Sequence, residues 1–409
     1  MSARLLIALI AVPILVLLSG VLWSNSASRA IQNARGPQWL RHAPKIYVYT
    51  VASSLLLLIL AGVPNLPTPP AFLDKIAGTL GLTGGLIILL SLLPTLSARG
   101  WTAIQRRFNK PPTDEHHAAQ RESDTSLSRR QIMQAGLWNA PALLGLGSAL
   151  VAHRQLEDFQ ISKINLTIGK QPLPKGLKIL HISDLHVGRF TRGAILERIV
   201  QASADLQPDL IAFTGDLINH HLNDLPAGIE LLLGLQRIAP TFVCEGNHDL
   251  FQSAKTFRNS LTNRGIPLLL DESTVIQVGS TALRLCGATW NGTDGPAHLD
   301  RLSMESNLAH RIPRLLDSGH ANLPTILLAH HPHAADYAPH SNLTLAGHTH
   351  GGQLMLSPTR GPGPMLYRYW SGLHTSRQLS RPVIVSNGVG NWFPLRTAAP
   401  AEITLITVI

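Results

Sequence analysis

Two different hydrophobic patterns share this chain. Residues 5–23, 46–63, 76–96 and 134–152 are long apolar stretches without a single Asp, Glu, Lys or Arg, and roughly 20 apolar residues is what a helix needs to cross a bilayer. Helices of soluble bundles rarely run that long without charge, so the pattern predicts four spans. Beyond about residue 155 the apolar runs shorten to strand length and alternate with amphipathic stretches, the pattern of an α/β domain. "TRGAILERIVQASADL" and "LPAGIELLLGLQRI" read as two of its helices. The expected organisation is a transmembrane region over 1–153 and an α/β domain over 154–409.

Charge sharpens this division. The 409 residues are 45% hydrophobic with a formal charge of +10, and the mean hydropathy is +0.14. Residues 1–153 hold 13 Lys/Arg against 5 Asp/Glu, net +8, whereas residues 154–409 hold 21 against 19, net +2. The excess therefore sits between the spans rather than in a basic groove, and no nucleic-acid partner is expected. Loop 24–45 carries Arg29, Arg35, Arg41 and Lys45, and loop 97–131 carries Arg99, Arg106, Arg107, Lys110, Arg121, Arg129 and Arg130. Loop 64–75 has only Lys75, beside Asp74. Positive charge marks the cytoplasmic side, so the N-terminus and everything after residue 153 are expected outside the cytoplasm, with 97–131 an irregular cytoplasmic loop. A cleaved leader ending near "SNSAS" would put both basic loops on the wrong side. "LSRRQIMQAG" resembles a twin-arginine export signal but serves equally as ordinary positive-inside charge. Spans free of charge suit anchoring better than transport.

Cys244 and Cys286 lie in the apolar runs "TFVCEG" and "LRLCGA" and read as small buried residues rather than a disulfide.

The chemistry gathers at the ends of five short apolar runs. "LKILHISDLH" ends in Asp184 and His186, "DLIAFTGD" in Asp216, "TFVCEGNHD" in Asn247, His248 and Asp249, "TILLAHH" in His330, and "LTLAGHTH" in His348 and His350. Ligands bind beyond the carboxyl ends of the strands in open α/β sheets, so runs distant in sequence can deliver these residues to one place. Carboxylate, imidazole and amide without thiolate suit Mn, Fe or Zn. Asp216, with a glycine before it, is the natural bridge between two ions. Glycines before Asn247 and His348 are expected to make tight turns that expose the ligands. Arg189, His220 and His221 are candidate substrate contacts, and His331 is expected to point away from the metals.

"SDLH", "GD", "GNHD", "AHHP" and "GHTHGG", in that order, resemble the calcineurin-like metallophosphoesterase superfamily over roughly residues 160–409. The tail "VSNGVGNWFPLRTAAPAEITLITV" resembles its membrane-associated bacterial branch. The resemblance implies a two-sheet α/β domain and two divalent ions. Asp184, His186 and His350 would hold one ion, Asn247, His330 and His348 the other, with Asp216 bridging. His248 would stand beside the phosphate as a general acid, with Asp249 as its orienting partner, and metal-activated water would attack the phosphorus. The function expected is a phosphoesterase anchored in a bacterial inner or cytoplasmic membrane, its catalytic domain outside, acting on a cell-envelope or lipid-linked phosphoester. No protein partner is implied. The alternatives are a nucleotide or UDP-diacylglucosamine-type phosphodiesterase, the latter disfavoured because its substrate is cytoplasmic, and a noncatalytic scaffold, disfavoured because no ligand position is missing.

Overall fold

The computed structural model describes residues 3–33, 38–61, 70–108, 129–166, 176–279, 281–291, 301–318, 323–375 and 381–409. The chain divides into two compact units, Met1–His153 and Arg154–Ile409.

The first unit is helical: α1 (Ala3–Asn33), α2 (Gln38–Ala61), α3 (Ala71–Leu90), α4 (Leu92–Phe108) and α5 (Arg129–Gln155), whose last residues enter the second unit. Among the described residues, four stretches are long and apolar enough to cross a membrane, Ala11–Asn33, Gln38–Ala61, Phe72–Gln105 and Ala135–Gln155. The third differs from the expected 76–96. It is interrupted at Ser91, between α3 and α4, where Pro94 has no N–H to give the Leu90 carbonyl and Ser91 Oγ donates back to Ile88 O at 2.7 Å. Helix then continues to Phe108, so the expected irregular loop 97–131 begins as helix, and its stretch 109–128 lies outside the described residues. Trp23, Tyr47, Val48, Val51 and Ile88 form the unit's core. Glycine lets the helices approach closely, since a Cβ at Gly84 would lie 2.6 Å from Val51 Cγ2. Arg99 Nε donates to Ser26 Oγ at 2.8 Å and Ser28 Oγ to Arg41 O at 2.8 Å. These bonds gather the end of α1, the start of α2 and the basic part of α4 at one end of the bundle.

The second unit runs β1 (Gln160–Leu166), β2 (Lys178–Ile182), α6 (Ala194–Asp205), β3 (Leu210–Thr214), α7 (Leu225–Gln236), β4 (Thr241–Cys244), α8 (Ala254–Thr262), β5 (Glu272–Val278), β6 (Thr281–Gly287), α9 (Arg301–Asp317), β7 (Thr325–Leu328), β8 (Leu343–Ala346), α10 (Pro362–Leu366), β9 (Gly372–His374), β10 (Val383–Val385) and β11 (Glu402–Val408). One sheet has the order β1-β11-β2-β3-β4 and the other β5-β6-β7-β8-β10-β9. Strand alternation builds the layers. Ile179, Leu210 and Ala212 face the second sheet, packing with Leu283, Leu285, Ile326 and Leu345. Leu180, Ile182, Ile211 and Phe213 face the other way, onto Ile195 and Ile199 of α6 and Leu232 and Leu235 of α7. Leu327 and Ala329 meet Leu308, Ile312 and Leu315 of α9 on the outside of the second sheet. The unit is thus a two-sheet α/β sandwich with helices on both outer faces. Cys244 and Cys286 are free and buried in different strands, as expected of core thiols.

Candidate metal centre

Every one of the five motifs follows a parallel strand. β2, β3 and β4 are parallel neighbours in one sheet, and β7 and β8 in the other. Their carboxyl ends therefore open on a common crevice. The turns there fall on the functional residues themselves: Asp184, His186, Asp216, His348 and His350 adopt φ of 52°, 47°, 56°, 73° and 50°. Left-handed backbone costs roughly 1–3 kcal/mol at each non-glycine residue, a strain characteristic of sites. The glycines expected to make these turns have another use. A Cβ on Gly246 would lie 2.2 Å from Asp216 Oδ1, and one on Gly347 2.2 Å from Asp184 Oδ2. They leave room for the carboxylates.

Three overlapping groups of side chains could each hold a metal ion: Asp184, His186 and His350; Asp216, His330 and His348; and His186, Asp216 and His248. His186 Nε2 and His350 Nε2 are 2.9 Å apart, with Asp184 Oδ1 3.3 Å from His350 Nε2. Asp216 Oδ2 lies between His186 Nε2 at 3.5 Å and His330 Nε2 at 3.2 Å. Asn247 Oδ1 is 3.0 Å from His348 Nδ1. The seven expected ligands are thus assembled in one place, with Asp216 at the junction of its halves.

Charge in this cluster calls for a cation. Burial pushes both carboxyls up, but His350 and His330 around Asp184, and His330 and His248 around Asp216, outweigh it and hold both well below the usual carboxylate range. Burial takes His348 down to about 3, with His330 adding to the effect, and it lowers His186 and His350 as well. Ionised carboxylates therefore face neutral imidazoles at His186, His348 and His350 at neutral pH. His330 donates from Nδ1 to Thr214 O at 2.7 Å, the one role a carbonyl partner allows. Its Nε2 has no hydrogen-bond partner yet faces the Asp216 carboxylate. Burial lowers this imidazole, but Asp216 and Asp184 raise it more, to about 9. Positive charge belongs at that spot, and an all-oxygen-and-nitrogen donor set fits a divalent metal ion there.

Several expected details are corrected. Asp249 does not orient His248. Its Oδ2 accepts from the backbone N–H groups of Asp216 at 3.0 Å and Gly246 at 2.9 Å, and its Oδ1 from that of Ile218 at 3.1 Å. The His248 ring is held instead through Nδ1 by the Asn219 carbonyl at 2.6 Å. Asp249 is buried beneath the turn because three backbone donors there need an acceptor. Its carboxyl is pushed well above the usual range by burial and by the Asp216 charge. His331 joins none of the candidate ligand groups; its ring centre is 5.3 Å from that of His348, beside Trp290, and its Nδ1 accepts from His333 N at 3.3 Å. His220 is exposed with its ring 5.2 Å from that of His248. His221 turns to Gln252, whose Nε2 is 3.1 Å from its Nδ1. Arg189 is half-buried in the turn closed by Gly188 N and Thr191 O.

Sequence reasoning missed Arg396, which is buried and donates from Nη2 to His350 Nδ1 at 3.0 Å and to Gly390 O at 2.7 Å, and from Nη1 to Asn387 O at 2.8 Å. Nor did it point to Trp290, 4.9 Å from the His348 ring, Tyr367, 5.8 Å from it, or Trp392, 6.2 Å from His350. A lone Arg in "PLRTAAP" or Trp in "ATWNG" has no local pattern to mark it.

The Calcineurin-like phosphoesterase family model matches residues 177–352. The chain is 32% identical over 306 residues to the uncharacterized metallophosphoesterase YkuE of Bacillus subtilis, covering 69% of this chain and 98% of that protein. It is 28% identical over 295 residues to Phosphodiesterase YaeI of Escherichia coli, covering 69% and 100%. A Danio rerio transmembrane protein with a metallophosphoesterase domain is 28% identical over 255 residues, the match spanning 60% of this chain and 56% of that protein. The chain belongs to the calcineurin-like phosphoesterases and is a metal-dependent phosphoester hydrolase with candidate membrane spans.

Proposed function

From that membership, we propose that this chain is a membrane-anchored dinuclear phosphoesterase whose substrate is a lipid-linked or other envelope phosphoester, cleaved outside the cytoplasm. The observation that carries the dinuclear assignment is the place of Asp216, whose one oxygen lies 3.5 Å from His186 Nε2 and 3.2 Å from His330 Nε2. Asp184, His186 and His350 would hold one ion and Asn247, His330 and His348 the second, with Asp216 as the residue that would serve both.

Bound divalent ions supply an activated water and neutralise charge on the phosphoryl oxygens. The chain's own groups do the remainder. His248 donates a hydrogen bond from Nδ1 to the Asn219 carbonyl at 2.6 Å, which leaves Nε2 as the atom that, in the protonated ring, would deliver a proton to the leaving oxygen. Trp290, Tyr367 and Trp392 flank the imidazoles with aromatic surface. His220, beside His248, is the candidate to meet a substrate phosphate, with Arg189 and His221 as further candidate contacts.

Support for the orientation comes from the basic ends of α1 and α4 lying together, tied by Arg99 to Ser26, as expected if both basic loops share the cytoplasmic side. A reporter active only outside the cytoplasm, fused after Ile409, is expected to work. Activity of a cytoplasm-only reporter there would reverse the orientation and favour a UDP-diacylglucosamine-type substrate. For the chemistry, purified full-length protein given Mn is expected to hydrolyse members of a panel of lipid-linked and soluble phosphoesters, to stop on chelation and to recover on metal addition. A folded, metal-loaded protein inert toward every phosphoester would overturn the assignment.

A further inference from the structure

We propose that residues 354–373 form a membrane-docking element that seats the mouth of the metal centre on the surface of an anionic bilayer. The inference rests on the hydrolase reading and narrows its substrate to phosphoesters lying in the headgroup plane.

The segment exposes apolar side chains to an unusual degree. Leu356 is 90% exposed, Met365 83% and Leu366 62%, in a unit that buries most of its large apolar residues; clustered exposure of this kind marks an interaction surface. These tips are held out by a braced loop. Met355 is buried, its N–H donates to Thr397 O at 2.9 Å, and its sulfur accepts from Gly363 N at 3.4 Å. Leu356 N donates to Arg360 O at 2.8 Å, and Trp370 Nε1 to Pro358 O at 3.4 Å. The loop also adjoins the chemistry. Tyr367, next after Leu366, has its ring 5.8 Å from His348, and across the centre the 45%-exposed Trp392 is 6.2 Å from His350. Apolar residues therefore rim both ends of the cluster.

Charge identifies the occupant as an anionic lipid surface. From Tyr337 to Ala401 the sequence has no Asp, Glu or Lys but carries Arg360, Arg368, Arg377, Arg381 and Arg396, although the whole unit is nearly balanced. Arg396 is buried in the centre, while Arg360 and Arg368 stand exposed beside the apolar tips, with Arg368 also paired to Asp336 at 2.9 Å. Leucine and methionine tips flanked by arginines enter the acyl boundary while the guanidinium groups meet lipid phosphates. The same chain has four candidate spans, so a bilayer is always at hand. A protein partner would be expected to offer acidic side chains to the arginines and a shaped pocket to the tips.

Single cysteines at Leu356→Cys and Met365→Cys can be labelled selectively, because native Cys244 and Cys286 are buried, with Val275→Cys, exposed on β5, as the control. Full-length labelled protein in nanodiscs containing phosphatidylglycerol should show quenching by doxyl-labelled lipid at 356 and 365, and by aqueous iodide alone at 275. Iodide quenching at 356 and 365 would overturn the proposal, as would shielding from both quenchers, which would assign the loop to a protein contact. The combined Leu356→Ser, Met365→Ser and Leu366→Ser variant should lose about tenfold or more on a bilayer-embedded phosphodiester and stay within about twofold on a soluble aryl phosphodiester. Equal effects on both would also overturn it. If wild-type protein cleaves no soluble or embedded ester, the hydrolase reading fails, whatever the quenching shows.

Discussion

The two halves of the metal cluster use the same side chains with opposite proton placement. On one side His330 donates from Nδ1 to the Thr214 carbonyl at 2.7 Å, so in the neutral ring Nε2 is the lone pair aimed at the centre, although without a cation Asp216 and Asp184 keep that nitrogen protonated up to about pH 9. On the other, His350 accepts at its outer nitrogen from Arg396 at 3.0 Å. Arginine only donates, so in the neutral ring the proton sits on Nε2, facing Asp184. The His330 half takes an ion by giving up that Nε2 proton. The His350 half must loosen its contact with Arg396 to offer Nε2. A histidine's capacity to bind metal is therefore set by the group behind it, and here one half has a carbonyl and the other a guanidinium.

The strongest way to break this comparison is to remove what joins the halves. Asp216→Ala is expected to lose both ions and at least about 10³-fold in hydrolysis, the scale of losing metal activation, whereas Asn247→Ala should lose one ion. Metal analysis of the purified variants checks this, and equal retention by both would take Asp216 out of the bridging place. Next comes His248→Gln, expected to keep both ions yet slow esters with poor leaving groups by about 10²–10⁴-fold, with activated aryl diesters affected far less. Loss of an ion from this variant would make His248 a ligand, which its distance to His186 and Asp216 also permits.

A smaller effect should separate the halves by pH. His330 is raised to about 9 by Asp216 and Asp184 against the pull of burial. A group raised on folding stabilises the protein below its unfolded pKa of about 6.5 and loses that contribution as pH climbs through the folded value. Chelated protein should therefore melt lower at pH 9.5 than at pH 6.5, by about 2–4 °C per kcal/mol lost, while metal-loaded protein should show little of this trend because the cation replaces the proton. Identical pH trends with and without metal would count against it. The smallest expected change follows Arg396→Gln. Its side-chain carbonyl can accept from His350 Nδ1, so one site should bind Zn a few-fold more tightly, about the 1 kcal/mol of one hydrogen bond. Melting should fall, since Arg396 also ties down the Asn387 and Gly390 carbonyls. Weaker binding at that site would show that the guanidinium helps rather than hinders the ion.

Much of the centre could be read before the fold was known, because each motif sits within a few residues of a strand end and strands announce themselves by apolar runs. Asp184, Asp216, His330 and His348 all follow such runs at once. What failed was inference from adjacency: Asp249 stands next to His248 in sequence, yet it faces the backbone of Asp216 and Gly246. In a tight turn successive side chains diverge, so sequence neighbours are poor guides to partners. In the helical half, the spans were visible as charge-free length, but the interruption at Ser91 depended on Pro94 and the back-bonding hydroxyl, which hydropathy does not register.

By itself the sequence determined the composition of each layer, the apolar lengths of the candidate spans and the identity of the metal-capable residues, because hydrophobic periodicity and ligand chemistry are properties of residues close together along the chain. The tertiary structure alone decided which nitrogen of each histidine is turned inward, which carbonyl holds His248, and that Arg396, 46 residues beyond His350, reaches its ring. Those choices depend on hydrogen bonds between segments brought together only when the two sheets pack, and a bond of that kind leaves no period, run or spacing in the sequence to be read.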